Sequence, residues 1–132
     1  MNAESNSGYL LIFRGTDWHK GLSPEQTQKV AGEWMAWFMR LKEQNKVAGG
    51  SPLEPSGKLV SGKNGRVVAD GPFAESKEAI GGFFHVTVAS IEEAVAIAKD
   101  CPGLNYGAQV EVRPVMEQCP ASRMAELAEA TA

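Results

Sequence analysis

The 132-residue sequence contains few of the residues that build metal centres and disulfide scaffolds. It has only two histidines, His19 and His85, and two cysteines, Cys101 and Cys119. These four side chains show no recognised metal-ligand spacing, so we expect no bound metal. Because the cysteines lie outside any Cys-x-x-Cys pattern, two thiols in a reducing compartment are favoured over one disulfide.

The sequence also lacks an excess of positive charge and any long apolar run. Its 13 Lys and Arg residues are outnumbered by 16 Asp and Glu residues, whereas nucleic-acid binding requires clustered basic side chains. No apolar run approaches the roughly 20 residues that a membrane-spanning helix needs. Residues 1–8 lack the apolar core of a secretory signal. We therefore expect a cytoplasmic protein that binds neither nucleic acid nor membranes.

An apolar fraction of 43% is sufficient for one domain with its own core. We assign residues 1–8 to a disordered N-terminus, 9–115 to the domain, and 116–132 to a tail with a short helix over 123–128. The apolar periodicity and the turn signals predict the following elements: a strand over 9–13 that ends at Arg14, a helix from Ser23 to Gln44 or Asn45, a strand over 47–53, a hairpin over 58–69, a strand over 83–88, a helix from Ser90 to Pro102, and a strand over 109–114.

Both predicted helices begin with a capping box, formed by Ser23 with Gln26 and by Ser90 with Glu93. Apolar residues at helical spacing give the first helix a stripe that we interpret as core packing: Val30, Trp34, Trp37, Phe38 and Leu41. Met35 and Met39 widen this stripe and predict a more buried helix. In the second helix we expect one apolar face: Ile91, Ala94, Val95 and Ala98.

The order of elements predicts an α+β fold. Strand–helix–strand, a hairpin insert, and strand–helix–strand form the ferredoxin-like split β-α-β pattern. Both helices then cover one face of a four-stranded sheet and leave the other face open. Phe83, His85, Glu111 and Arg113 alternate onto the open face. An uncovered face that mixes aromatic and charged side chains predicts a homodimer interface.

The densest group of turn residues and charges is the stretch DGPFAESKEAIGGF, which begins at Asp70. Gly71-Pro72 and Gly81-Gly82 are turn signals at its two ends. Together with the helix ending at Cys101-Pro102 and the strand VEVRPV, this stretch resembles the YCII-related, or DGPF domain, family over Tyr9 to Val115. The resemblance implies a ferredoxin-like subunit that dimerises into an α+β barrel.

The same resemblance implies several functions. Some relatives resemble muconolactone-type isomerases and dehalogenases, and others are associated with alternative sigma factors or carry the label of transcription initiation protein. Smaller bacterial YCII proteins have a His–Asp pair proposed as catalytic. In this sequence the candidates for such a pair are Asp70 with His85 or Asp70 with His19.

Each charged or imidazole candidate has a functional and a structural interpretation. Asp70 can act as a general base or orient a histidine, or it can cap a turn. His85 can be an acid/base in a cleft, or a satisfied histidine at the sheet face or dimer seam. Glu75 and Lys77 can hold a substrate carboxylate or shuttle a proton, or they can form an ion pair that braces the loop.

The remaining candidates concern ligand binding. His19 can line the mouth of a pocket, or it can be a solvated loop residue. Arg14 and Arg113 can hold an anionic ligand, since guanidinium groups bind carboxylates with two hydrogen bonds. The alternative is that they pair with Glu111 or Glu75. No nucleotide-binding glycine loop is present, because Gly81-Gly82 lacks the rest of the motif and precedes a strand.

Three hypotheses follow from the sequence. The first is a cofactor-free enzyme that performs isomerase-like or lyase-like proton transfer on a small anionic organic substrate, with Asp70 and His85 as catalytic residues. Arg14, His19, Glu75, Lys77 and Arg113 would then bind the substrate. The second is a non-catalytic dimeric module that binds a small molecule or serves as an accessory or regulatory protein. The third is a structural role in which the DGPF stretch fixes the dimer.

Overall fold

A computed structural model describes residues 7–15, 19–54, 56–71, 80–116 and 128, and shows an α+β fold of two α-helices and six strands in this part of the chain. The elements in order are β1 (Tyr9–Arg14), α1 (Pro24–Glu43), β2 (Val47–Pro52), β3 (Lys58–Ser61), β4 (Val67–Asp70), β5 (Ile80–Val86), α2 (Ile91–Ala98) and β6 (Gln109–Pro114). Short 3₁₀ helices span Lys63–Gly65 and Pro102–Tyr106. The predicted α+β class is therefore confirmed.

Four of the strands form one antiparallel sheet in the order β2-β5-β1-β6. The two strand–helix–strand units interleave in this order, because β5 lies between β1 and β2 while β1 lies between β5 and β6. Strands β3 and β4 form a separate two-stranded antiparallel sheet, the β3–β4 hairpin. The hairpin predicted over 58–69 is confirmed.

Local sequence signals set both ends of α1. The amide of Gln26 donates to Ser23 Oγ at 3.1 Å, and the Ser23 amide donates to Gln26 Oε1 at 2.9 Å. At the other end Asn45 has a left-handed φ of 57°. The Lys46 amide then donates to the Leu41 carbonyl at 2.8 Å, and the Asn45 amide to that of Lys42. This is a Schellman ending, and both predicted boundaries of the helix are confirmed.

The core lies between α1, α2 and one face of the four-stranded sheet. Strand β1 alternates, so that Tyr9, Leu11 and Phe13 are buried while Leu10 and Ile12 point to the other face. The other members of the main core cluster come from the neighbouring elements: Trp37 and Leu41 of α1, Phe84 and Val86 of β5, Val88, Ala94, Ile97, Ala98 and Cys101. Each large apolar side chain buried here stabilises the fold by about 1.5–3 kcal/mol.

Two predictions about helix burial are wrong. Met35 and Met39 are 63% and 44% exposed, because α1 packs on the sheet along one side only. In α2 the side chain of Val95 is exposed while Ile97 is buried. Ala94, Ile97 and Ala98 share the i, i+3, i+4 spacing of the face that meets the sheet.

The interpretation of Gly81-Gly82 as a turn is also wrong, since both residues lie inside β5. A Cβ atom at Gly82 would lie 2.8 Å from the Ser51 carbonyl oxygen of the neighbouring strand. Glycine is therefore needed for close approach of two backbones rather than for a turn. Strand β5 consequently begins three residues earlier than predicted and ends two residues earlier, at Val86.

Helix α2 ends at Ala98, and a 3₁₀ helix from Pro102 separates it from β6. The predicted tail helix over 123–128 lies, apart from Ala128, outside the described residues, and so does most of the N-terminal segment 1–8. No helix in the described ranges is long and apolar enough to span a membrane.

Candidate functional site

An apolar cavity of about 450 Å³ lies between α1 and the sheet, at the end where β1 and β2 finish and β5 begins. Four aromatic side chains line it: Phe13, Trp34, Phe38 and Phe84. Ala31 and Met35 of α1 and the strand-end residues Gly15, Gly50, Ser51, Pro52, Gly81 and Gly82 complete the described lining. The volume falls within the range of pockets that hold small organic ligands.

The four aromatic side chains pack against one another and so form a preformed wall. The ring of Phe13 meets those of Trp34 and Phe84 edge to face, with centroids 4.8 and 4.9 Å apart. Phe38 lies 5.1 Å from Phe84 in a tilted arrangement. Such contacts add about 0.5–1.5 kcal/mol per pair to the burial of the rings. A ligand would therefore meet ordered ring surfaces without first having to arrange them.

Glycines determine the part of the cavity wall that β2 and β5 provide. A Cβ atom at Gly50 would lie 2.5 Å from the Phe83 carbonyl oxygen and 2.7 Å from Phe84 Cδ1. Gly82 is constrained in the same way by Ser51, as described above. Because neither position has room for a side chain, β2 and β5 present bare backbone to the cavity beside the rings of α1.

The described lining of the cavity contains no titratable side chain. Its polar groups are the Trp34 indole, Ser51 and the backbone at the strand ends. General acid–base chemistry requires a titratable group within hydrogen-bonding reach of the reacting atom. The described walls of the cavity are therefore suited to binding an apolar molecule, and they contain no proton donor or acceptor of catalytic type.

Three of the predicted site residues share the open face of the sheet, which the helices do not cover. In the strand register Leu10 lies opposite His85 and Arg113, and Ile12 lies opposite Phe83 and Glu111. Arg14 follows on the same face at the end of β1. The predicted assignment of Phe83, His85, Glu111 and Arg113 to this face is confirmed. Arg14 therefore lies on the same surface as His85 and Arg113.

The charges on the open face form an ion-pair cluster around Glu111. Arg14 Nε donates to Glu111 Oε1 at 2.7 Å, and Arg113 Nη1 lies 3.6 Å from Glu111 Oε2. The sequence left two interpretations of Arg14 and Arg113, ligand binding and pairing with an acidic side chain. The structure contains the pairing, with Glu111. A ligand carboxylate at this site would have to compete with that of Glu111.

His85 is half-buried near the N-terminal end of β1. Its Nε2 lies 2.7 Å from the Ser7 carbonyl oxygen. A carbonyl oxygen can only accept, so we assign the proton to Nε2. Gly8, whose φ is +79°, leaves room for the imidazole, because a Cβ atom there would lie 3.2 Å from Nε2. The contact resembles that of a histidine satisfied at the sheet face.

Asp70 lies at the end of β4, in the β3–β4 hairpin. Its carboxylate is exposed and forms an ion pair with Lys58, directly opposite on β3. His85 lies in the other sheet and contacts Ser7, so each member of the proposed catalytic pair has a different partner. The assignment of Asp70 and His85 as an acid–base pair remains a prediction.

The other candidates lie apart from both surfaces or outside the described ranges. His19 is exposed in the loop before α1, where its carbonyl accepts from the Leu22 amide at 3.2 Å. It does not line the cavity. Glu75 and Lys77 lie outside the described residues, so their roles remain predictions.

Two features of the covered face do not follow from the sequence alone. Trp34 and Phe38 were interpreted as core packing because of their helical spacing, yet they also line the cavity. The available signal was the juxtaposition of large rings on α1 with the glycine pairs Gly49-Gly50 and Gly81-Gly82 on the strands. Cys101 is a free and buried thiol, and burial raises its pKa, which makes it a poor nucleophile.

Within the described ranges, no three His, Cys, Asp or Glu side chains are placed to hold a metal ion. The arrangement thus offers two distinct surfaces: an aromatic cavity under α1, and a charged open face on the opposite side of the same sheet.

Comparison with known proteins assigns the chain to a family. A sequence profile described as the YCII-related domain matches residues 9–118. An uncharacterised protein of Rhizobium meliloti (strain 1021) is 31% identical over 110 residues, which cover 80% of this chain and 89% of that protein. The profile match includes the strands and helices that form the cavity and the open face. The chain belongs to the YCII-related domain family.

Proposed function

We propose that the protein binds a small, largely apolar organic compound in the aromatic cavity. The observation that carries this proposal is the cavity of about 450 Å³, whose aromatic wall is preformed and whose described lining has no titratable side chain. Preformed apolar pockets with a few polar groups are the usual form of small-molecule sites. This function corresponds to a binding module and requires no catalytic pair.

The strand ends decide how such a ligand would be oriented. Ser51 and Gly81 bring backbone groups to the lining, whereas Trp34 and Phe38 bring aromatic rings. A compound with one or two fused rings and a single polar substituent would place its rings against the aromatic wall. Its substituent would then point toward the exposed backbone and solvent.

Filling the cavity tests this proposal. Ala31 lines it, whereas Ala36, on the same helix, lies outside its described lining. Ala31→Phe should weaken binding of 1-naphthalenemethanol at least tenfold, because the new ring occupies the ligand's space. Ala36→Phe should leave the affinity within about twofold. Quenching of tryptophan fluorescence reports binding, since Trp34 lines the cavity. Equal affinities for the two variants would rule out the cavity as the site.

The finer description of the fold is also a proposal. The interleaved strand order and the placement of both helices on one face support a ferredoxin-like subunit with the β3–β4 hairpin as an insert. The open face supports a homodimer, because Leu10, Ile12 and Phe83 lie there among charges and are only half-buried. Two open faces packed together would form an α+β barrel.

The oligomeric state tests the dimer. Ile12→Lys places a charge at the centre of the open face and should convert the dimer to a monomer in light scattering coupled to size-exclusion chromatography. Lys29→Glu, an exposed substitution on α1, is the control and should remain dimeric. A wild-type protein that is monomeric at 100 µM would contradict this proposal without affecting the cavity.

A second candidate function is acid–base catalysis on an anionic organic substrate. It is supported by the grouping of His85, Arg14, Glu111 and Arg113 on one face. In this scheme His85 and Asp70 transfer the proton, and an arginine released from Glu111 holds the anion. If His85→Ala and Asp70→Ala both retain full activity in a substrate screen that detects turnover by the wild type, this candidate is excluded.

The free thiol of Cys101 supports the further proposal that the protein works in a reducing, cytoplasmic compartment.

A further inference from the structure

Three of the four aromatic rings that line the cavity are mutually perpendicular. The plane of the Phe13 ring makes an angle of 85° with that of Trp34 and of 88° with that of Phe84. The planes of Trp34 and Phe84 meet at 86°. The ring centroids lie 4.8, 4.9 and 6.2 Å apart in the same order. These three rings, which we call the ring corner, all belong to the lining of the cavity.

The ring corner determines the angles at which a flat molecule meets the wall. A planar ring that lies parallel to one of three mutually perpendicular rings is perpendicular to the other two. Aromatic pairs attract each other both when they are parallel and offset and when they meet edge to face, with centroids about 4.5–7 Å apart, because ring faces are negative and ring edges positive. A planar aromatic ligand in this position therefore has a favourable geometry with every ring that it reaches.

A saturated ligand with the same carbon skeleton gains nothing from these angles. It has no π-electrons, so its affinity depends on the apolar area that it buries. Because saturated rings carry more hydrogen atoms, the saturated compound has at least as much apolar surface as the aromatic one. Burial alone therefore predicts equal or tighter binding of the saturated compound. Each aromatic contact, in contrast, favours the aromatic compound by about two- to tenfold.

Met35 adds to the lining a second kind of group that favours an aromatic ligand. Its side chain lines the cavity from α1 and is 63% exposed. A methionine thioether is polarisable, and its sulfur makes favourable contacts with the edges of aromatic rings at about 5 Å. Because the side chain has three rotatable bonds, an exposed Met35 can adjust to the edge of a ring held in the cavity.

We infer that the cavity selects planar aromatic compounds over saturated compounds of the same skeleton, and that Phe13 determines this selectivity. Phe13 has the shorter centroid distances within the ring corner, 4.8 Å to Trp34 and 4.9 Å to Phe84. The inference rests on the binding function proposed above. It narrows the ligand from any small apolar compound to one with an aromatic ring system.

Two ligands that differ only in saturation test the inference. 1-Naphthalenemethanol is aromatic, whereas decahydro-1-naphthalenemethanol has the same skeleton and the same hydroxyl group without an aromatic ring. We expect the wild type to bind the aromatic compound at least tenfold more tightly. Isothermal titration calorimetry measures both dissociation constants without relying on fluorescence quenching by the ligand. Equal affinities, or tighter binding of the saturated compound, would overturn the inference and leave the cavity as a binding site.

A matched pair of substitutions tests the part played by Phe13. Phe13→Leu keeps apolar bulk in the ring corner but removes one ring, so the ratio of the two dissociation constants should fall at least threefold. Phe83→Leu removes a ring from the open face, outside the described lining, and should leave the ratio within about twofold. Circular dichroism checks that each variant is folded. An unchanged ratio in Phe13→Leu, or an equal fall in both variants, would overturn the assignment to Phe13.

A graded ligand series provides a second measurement, which needs only the wild type. 5,6,7,8-Tetrahydro-1-naphthalenemethanol keeps one aromatic ring, so its affinity should lie between those of the other two compounds. An order of affinities that does not follow the number of aromatic rings would overturn the inference, even if Phe13→Leu failed to fold.

The outcomes separate the selectivity from the binding function itself. Ala31→Phe fills the cavity and should weaken the binding of all three compounds. If the preference for the aromatic compound survives this substitution at full affinity, the compounds bind elsewhere and both proposals are wrong. If none of the compounds binds the wild type, the proposed function fails and the inference fails with it. Binding without preference that Ala31→Phe abolishes would overturn the inference alone.

Discussion

The two faces of the four-stranded sheet come from the same strands but have opposite chemistry. The covered face, beneath α1, holds an aromatic cavity with no titratable side chain in its described lining. The open face holds His85 and the Arg14–Glu111–Arg113 cluster. Residues that can do chemistry and space that can hold a ligand therefore lie on opposite sides of the sheet. Under the proposed function, the ligand site and the group of reactive side chains lie on different faces.

The largest expected effect distinguishes two neighbouring phenylalanines of β5. Phe84 is buried on the covered face and contacts the rings of Phe13, Trp37 and Phe38. Phe84→Ala should lower the free energy of unfolding by about 3–5 kcal/mol, because it removes a ring and leaves a cavity. Phe83→Ala, on the open face, should lower it by less than about 1.5 kcal/mol. Urea unfolding at one protein concentration compares the two variants. Equal losses of the free energy of unfolding would mean that Phe83 and Phe84 are packed alike.

Two adjacent glycines of β2 provide a second comparison. Gly50 faces the cavity, and an added Cβ would collide with backbone at 2.5 Å, whereas nothing lies within 4 Å of one at Gly49. We expect Gly50→Ala to reduce the free energy of unfolding by about 1–3 kcal/mol. Gly49→Ala should be neutral or stabilising by about 0.4–1 kcal/mol, since alanine restricts the unfolded chain. Thermal unfolding that ranks the two variants in the opposite order would disprove this packing.

The ion-pair cluster of the open face should contribute less to the free energy of unfolding than the packing of Phe84 or of Gly50. Glu111→Gln removes the carboxylate between Arg14 and Arg113. Because these side chains are partly exposed, we expect a loss of only about 0.5–1 kcal/mol at low salt. The loss should shrink in 1 M NaCl, which screens the charges. If Glu111→Gln lowered the free energy of unfolding by more than 3 kcal/mol independently of salt, the open face would be as inaccessible to solvent as the covered face.

The smallest effect concerns Cys101, the buried thiol beside the core. Burial raises its pKa above the usual value of 9.0, so the unfolded chain loses this proton at lower pH than the folded one. Burial of the neutral Cys101 thiol therefore makes its full contribution to the free energy of unfolding below pH 9. That contribution is lost as the pH rises toward the pKa of the thiol in the folded protein. In a Cys119→Ser background, stability should fall slightly more between pH 8 and 10 for the chain with Cys101 than for Cys101→Ala. Identical pH profiles would contradict a raised pKa.

Local signals in the sequence were sufficient for most of the fold. The capping box of Ser23 with Gln26 and the Asn64-Gly65 turn act within a few residues, so the sequence shows them directly. The alternation of Phe83 to Val86 likewise predicted which side chains share the open face. The Lys58–Asp70 pair was also accessible, because a hairpin centred on residue 64 places positions 58 and 70 opposite each other.

The features that could not be predicted depend on distant backbone. Gly81-Gly82 was interpreted as a turn because the sequence does not show that the backbone of Ser51 passes 2.8 Å from the place of a Cβ atom at Gly82. The cavity could not be predicted for the same reason, because empty space beside an aromatic ring depends on which distant residues lie opposite that ring. Trp34 and Phe38 have the helical spacing of core residues whether the space beside them is filled or empty.

The most direct test of the account is to locate a bound ligand on one face of the sheet. A nuclear magnetic resonance titration with 1-naphthalenemethanol, followed by 1-naphthoate, would do so from backbone amide shifts. We predict large shifts at Gly50, Ser51, Gly81 and Gly82 for both compounds, with small shifts at Leu10 and Arg113. Shifts confined to the open face, or seen only with the carboxylate, would show that the charged cluster is the binding site.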